Sequence, residues 1–174
     1  EFTFGAVAGA SVKYGETLEE TGLRFTIEVD KAFYEELGEG VEFGALVTTA
    51  NGATEDTVVL GADSVANICY VTDATKFDAE AESDNFVYYA SVTYKFDEDW
   101  KAEVLEKFAG VELSDEEIFA KAKLQALATE LICRPYYKIG EEVVYAALSD
   151  ARSMVKVANA AMIKKKKVPA DFAK

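Results

Sequence analysis

Apolar and polar residues alternate most regularly between Thr21 and Val29. Leu23, Phe25, Ile27 and Val29 share one face of an extended strand, and Gly22, Arg24, Thr26 and Glu28 share the other. This predicts a half-buried core strand, with β-branched and aromatic residues suited to a pleated surface. The same period returns at 41–48, where Val41, Phe43, Ala45 and Val47 oppose Glu42, Gly44, Leu46 and Thr48. It is longest over 85–96, with Phe86, Tyr88, Ala90, Val92, Tyr94 and Phe96 on one face. Shorter extended pieces are predicted at 10–14, 57–60 and 65–71, and Asn51-Gly52 reads as a turn. Glu130 to Ile139 reads as a strand whose hairpin partner, Glu142 to Leu148, follows Gly140-Glu141. A turn that short sets Tyr136 or Tyr137 across from Val144 or Tyr145. Pro135 has no N–H to donate, which predicts an edge strand or a bulge there.

Elsewhere the period changes to that of a helix. Asp30 can cap a short one in which Phe33 and Leu37 lie four apart, with Gly38 closing it. From Asp97, the residues Trp100, Val104, Leu105 and Phe108 form one stripe ended by Gly110. Ser114-Asp115-Glu116-Glu117 is a capping box opening a second helix, with Ile118, Phe119, Ala122 and Ala126 inward. The carboxylates gathered at these two helix starts are accounted for by capping and the helix dipole, since a calcium loop needs a different spacing. A last helix is predicted after Ser149 or Asp150, with Ala151, Met154, Val155, Ala158, Ala161 and Met162 as its stripe. Lys164 to Lys167 then form a basic run read as a solvated tail. The expected fold is mainly β within the α+β class: a single domain over 1–174, with a helical pair inserted at 97–128 and a C-terminal helix.

Composition narrows the chemistry. The chain carries 32 acidic against 18 basic residues, a formal net charge of −14. A field of that sign repels phosphate backbones, so nucleic acid is not an expected partner. Histidine is absent, which removes the commonest general base and transition-metal ligand. The sequence shows no Gly-rich phosphate loop and no nucleophile elbow. The expectation is a protein without enzymatic activity, cofactor or metal. No apolar run reaches transmembrane length, so membrane insertion is not expected. The first residue is Glu1, which suggests a processed or excised piece of a longer product. Cys69 and Cys133 are the two cysteines, both in apolar extended stretches. They read either as reduced, buried thiols or as one disulfide between sheets.

The order of the pieces resembles a known module. Gly9-Ala10-Ser11-Val12-Lys13, Thr21-Gly22-Leu23-Arg24-Phe25 and Phe43-Gly44-Ala45-Leu46-Val47 look like its start. Ile132-Cys133-Arg134-Pro135-Tyr136, the hairpin around Gly140, and Ala151-Arg152-Ser153-Met154 are similar to its second half. The module recurs in large surface and secreted proteins of Gram-positive, often gut-dwelling, bacteria. The resemblance covers most of the chain except about 97–128. It implies an immunoglobulin-like or related β-sandwich serving as an accessory module, with no catalytic residues to carry over. Arg24 and Arg134 match the module's strand arginines, and the role derived for them is structural, pairing with acidic groups on a sheet face.

Three functions follow as expectations. The first is a non-catalytic structural, adhesion or display module, extracellular or on a cell surface, whose partners are neighbouring domains and a protein or glycan surface. The second is a decoration or fibre domain of a phage virion. The third is a carbohydrate-binding module, which would need exposed Tyr or Trp platforms. Trp100 argues against the third, because its helical stripe marks it as a packing residue.

Overall fold

In a computed structural model, residues 3–17 and 19–164 are described. They form two antiparallel sheets and four helices; strand accounts for 31% and helix for 27%, and no barrel closes. Helix therefore nearly equals strand, and the fold is a more even α+β mixture than the strand periods suggest.

The chain divides into two compact units interleaved along the sequence. The first takes the residues up to Ser11, Arg24–Ser91 and Glu130–Arg152, and carries most of both sheets. The second takes Val12–Leu23, Val92–Thr129 and the residues from Ser153 onward. The helical pair expected as an insertion at 97–128 thus belongs to a unit that draws on three stretches of chain.

In the first sheet, β3 (Gly22–Val29) pairs with β1 (Phe4–Ala6), β2 (Ser11–Lys13) and β6 (Phe86–Thr93). Along β3 the predicted alternation holds: Leu23, Phe25, Ile27 and Val29 are fully buried, while Arg24, Thr26 and Glu28 are half-buried. The second sheet runs β5 (Ala66–Val71), β4 (Glu42–Thr49), β7 (Leu131–Ile139), β8 (Glu142–Tyr145). Strand β4 is covered on both faces. Phe43 meets Phe4, Phe77, Tyr88 and Tyr137 on one side. On the other, Leu46 packs with Val58, Ile132 and Tyr136. The Tyr88 hydroxyl, from the first sheet, donates to the Gly44 carbonyl of the second at 2.8 Å. This aromatic layer is the core of the first unit.

The hairpin register is the predicted one, with Tyr136 opposite Tyr145 and Tyr137 opposite Val144. Two expectations need correction. Residues 57–60 form turns, because Val58 is drawn inward and Arg134 holds the carbonyls around it. Pro135 is neither at an edge nor in a bulge, for β7 lies between β4 and β8 and pairs with β4 in unbroken register. Its carbonyl accepts from Ala146, the residue after β8 ends. N–H and C=O of one residue point to the same side of an antiparallel strand, so the missing donor falls where the ladder has already stopped.

The short helix α1 (Lys31–Leu37) is capped by Asp30, which accepts from the Phe33 amide at 2.8 Å. In the second unit, α2 (Glu98–Lys107) and α3 (Asp115–Ala128) start at the predicted caps, and Ser114 and Glu117 form the reciprocal box. Val104, Ile118 and Ala122 are their buried contact, flanked by Trp100, Leu105, Phe108 and Phe119. Helix α4 (Met154–Lys164) begins later than predicted. Ser153, buried, accepts from the Lys156 amide, while Ser149 is engaged with Cys133 and Asp150 with Gly9. The lysine run 165–167 lies outside the described residues. No helix among the described residues is long and apolar enough to cross a membrane.

Candidate functional site

The two strand arginines, alike in sequence, have different surroundings. Arg134 is 7% exposed and donates to three backbone carbonyls: Ala146 at 3.0 Å, Glu55 at 2.6 Å and Val58 at 3.0 Å. Its guanidinium lies 4.6 Å from the centre of the Tyr145 ring, whose hydroxyl accepts from the Leu60 amide. The segment 55–60 is thus tied to the β7–β8 hairpin by one arginine and one tyrosine. The acidic partners expected for Arg134 are replaced by carbonyls, since a guanidinium fork can satisfy several acceptors that a turn leaves open.

Arg24 lies on the polar face of β3. Its Nε donates to the Ser11 hydroxyl at 3.2 Å and its guanidinium sits 4.2 Å from the Tyr89 ring centre. The Tyr89 hydroxyl in turn donates to the Asp78 carboxylate. That bond, then the Glu80 amide and the Arg24 charge, hold Asp78 below the usual carboxylate range. Here an acidic group does belong to the arginine's surroundings, reached across a tyrosine. On the same strand, Glu28 accepts from Ser83 and Asn85.

Cys69 and Cys133 are both free, which overturns the disulfide reading. Cys69 pairs with Gly44 and Cys133 with Val47, on opposite sides of β4. Two strand spacings separate them by about 10 Å laterally, with a further offset of about 10 Å along the strands. A disulfide needs Cα atoms within about 7 Å. Cys133 is buried and its thiol is pushed up to about 12 by that burial. Cys69 is exposed, and its thiol is raised by desolvation and the Glu42 carboxylate, partly offset by a hydrogen bond with Tyr136. Neither thiol has the lowered pKa of a reactive cysteine.

The second unit holds a concave site that the sequence did not single out. It is a pocket of about 580 Å³ walled by α3 (Lys123, Leu127), α4 (Met154, Val155, Ala158, Asn159), the chain after β6 (Tyr94, Phe96) and the turn before β3 (Glu19, Thr21). Its lining is mainly apolar. Lys123 and Glu19 are exposed residues, one charge of each sign, and the Lys123 ammonium lies 5.3 Å from the Phe96 ring centre. The Tyr94 ring stacks near Phe96, centres 6.4 Å apart, and its buried hydroxyl has no hydrogen-bond partner. Desolvation raises the Tyr94 pKa. The available signal was the alternation itself: Tyr94 and Phe96 continue the β6 pattern, but the strand ends at Thr93.

Among the described residues, no three His, Cys, Asp or Glu side chains converge as a metal ion would require. No protein-family model matches this chain, no curated protein is detectably similar to it, and no solved structure matches its fold.

Proposed function

We propose that the chain is a non-catalytic structural, adhesion or display module of an extracellular or surface-exposed protein, its two sheets forming an immunoglobulin-like β-sandwich. The observation that carries this reading is how the polar groups of the sheets are used. Arg134 is spent on three carbonyls that fasten a turn to a hairpin, and Arg24 is stacked on Tyr89. Cys133, Tyr88 and Tyr136 all have raised pKa values, chiefly through burial, which keeps them neutral and inert near pH 7. With no histidine in the chain, proton transfer near neutral pH would fall to carboxylates alone. Acidic surfaces with mechanically tied hairpins suit a part that is displayed.

Two measurements test this. A panel of glycosides, esters and redox dyes is expected to show no turnover by the purified chain; turnover abolished by one Asp→Asn or Glu→Gln change would overturn the reading. An antibody against the chain is expected to label intact cells or virions of its source. Free thiols are ordinary in reducing compartments, so detection in the cytosolic fraction alone would refute surface display.

A further inference from the structure

We infer that Asn51-Gly52 is a site of spontaneous self-modification: the Gly52 amide nitrogen attacks the Asn51 side chain, and water opens the resulting succinimide to aspartate or isoaspartate. This stands apart from the role proposed for the sheets and does not depend on it.

Asn51 and Gly52 are both exposed at the tip of a turn closed by one hydrogen bond, from the Ala53 amide to the Ala50 carbonyl at 3.2 Å. Among the described residues, neither the Asn51 carboxamide nor the Gly52 amide has a hydrogen-bond partner. Gly52 has φ +73°, and nothing stands within 4 Å of where a Cβ would be, so its nitrogen is unshielded. An exposed turn bond opens readily because water replaces it, and opening it lets Asn51 rotate its Cγ toward that nitrogen.

The other three asparagines are held or hindered. Asn67 lies in β5, its side-chain oxygen accepts from the Tyr136 hydroxyl at 2.7 Å, and Ile68 follows it. Asn85 donates to Glu28 at 3.0 Å and is followed by Phe86. Asn159 lies within α4, which fixes its backbone, and Ala160 follows. A side chain on the following residue crowds the attacking nitrogen, and Asn51 alone is followed by glycine.

Water is the only co-reactant. A bond forms between the Gly52 nitrogen and Asn51 Cγ, the Cγ–Nδ2 bond breaks, and ammonia leaves with the proton given up by the Gly52 amide. Water then adds to one of the two ring carbonyls. Addition at Cγ gives aspartate; addition at the main-chain carbon gives isoaspartate, whose backbone runs through Cγ. Nothing is oxidised or reduced, and either product adds one negative charge to the chain's −14. Isoaspartate also lengthens a turn whose ends are fixed. The Ala50 amide donates to the Glu130 carbonyl at 2.8 Å, and Ala50 and Ala53 pack against Leu46, Val58, Ile132 and Tyr136.

The test follows the folded full chain by peptide-map mass spectrometry during warm incubation at mildly alkaline pH, with isoaspartate scored by isoaspartyl methyltransferase labelling. Conversion is expected at Asn51 at least about tenfold faster than at Asn67, Asn85 or Asn159. It should give both products and quicken as pH rises, because the attacking nitrogen must lose its proton. Gly52→Ala should slow it about tenfold. Because a positive φ strains alanine, Asn51→Gln is the second variant; it keeps the amide and should stop conversion, since its ring would be one atom larger. An intact Asn51 in the folded chain, under conditions where the urea-unfolded chain converts, would overturn the proposal, because the turn would then hold the carboxamide away from the nitrogen. Equal conversion at all four asparagines would overturn it too.

Discussion

Replacing Arg134 by Met keeps the apolar stem and removes the guanidinium. Three carbonyls, of Ala146, Glu55 and Val58, lose their donor, and the Tyr145 ring loses its cation. A hydrogen bond to a charged group contributes about 1.5–3 kcal/mol, so the three together would reach roughly 4–9 kcal/mol taken singly. Against this stands the cost of holding a guanidinium that is 7% exposed, several kcal/mol for a buried ion. The net loss expected is about 3 kcal/mol, a drop in Tm of about 6–12 °C for a chain of this size. Arg134→Lys should recover little of it, because one ammonium cannot span three acceptors. Urea and thermal melts measure the total. Hydrogen exchange localises it, since the Leu60 amide, held by the Tyr145 hydroxyl, should lose protection first. Arg24→Met serves as the contrast, as its guanidinium meets the Ser11 hydroxyl and the Tyr89 ring at a half-buried site. It should cost under about 1 kcal/mol. If Arg134→Met were neutral or stabilising, as replacing buried ions by apolar groups sometimes is, the tie between 55–60 and the hairpin would be incidental.

Glycine substitutions probe two close approaches: a Cβ on Gly22 would lie 2.0 Å from the Val92 carbonyl oxygen, and one on Gly44 would lie 2.6 Å from the Tyr136 ring. Gly22→Ala should be the worse of the two in denaturant melts, since its closest clash is with backbone, whereas Gly44→Ala meets the Tyr136 side chain first and the Ile68 carbonyl oxygen only at 2.9 Å, costing about 1–3 kcal/mol. Trp100→Ala should cost about 2–3 kcal/mol, below the value for a fully buried aromatic, because Trp100 is half-buried against Phe96 and Phe119; an unchanged Tm would make it a surface residue and revive sugar stacking. Cys133 keeps its proton up to about 12 in the folded chain against an ordinary 9.0, so its contribution is complete below pH 9.0 and is lost as pH rises toward 12. Cys133→Ala should therefore reduce the fall in stability across that window without removing it, because Cys69, Tyr88, Tyr89, Tyr94 and Tyr136 also have raised pKa values.

Much of the fold was legible because local chemistry and tertiary environment agree. Strand β3 alternates because one face is buried, and the hairpin at Gly140 has its register fixed by a two-residue turn. The caps at Asp30, Asp97 and Ser114 sit where their side chains reach the amides three residues on. Legibility failed where long-range partners decide. Residues 57–60 have a strand's composition, but Val58 packs against Leu46 and Arg134 takes the neighbouring carbonyls. Pro135 signals an edge only if its missing donor would have had a partner, and that depends on where β8 ends, at Tyr145. Ser149 looks like a helix cap by itself, yet its hydroxyl accepts from Cys133 across the sheet.

The pocket could not have been read from the sequence for a related reason. Its walls come from residues 19–21, 94–96, 123–127 and 154–159, and each of these stretches reads as ordinary turn, strand or helix sequence. Tyr94 reads as one more ring in a packed strand face, the account that holds for Tyr88, whose hydroxyl does find the Gly44 carbonyl. The two tyrosines lie six residues apart with the same parity, and only the endpoint of β6 at Thr93 separates them. Tyr88 stays opposite the second sheet and is satisfied; Tyr94 has left the ladder, half-buried, and its hydroxyl has no hydrogen-bond partner. A pattern of alternating residues fixes which side chains turn inward, and it carries no information about whether the chain supplies an acceptor there. At Tyr88 the Gly44 carbonyl is that acceptor, and at Tyr94 the chain offers none.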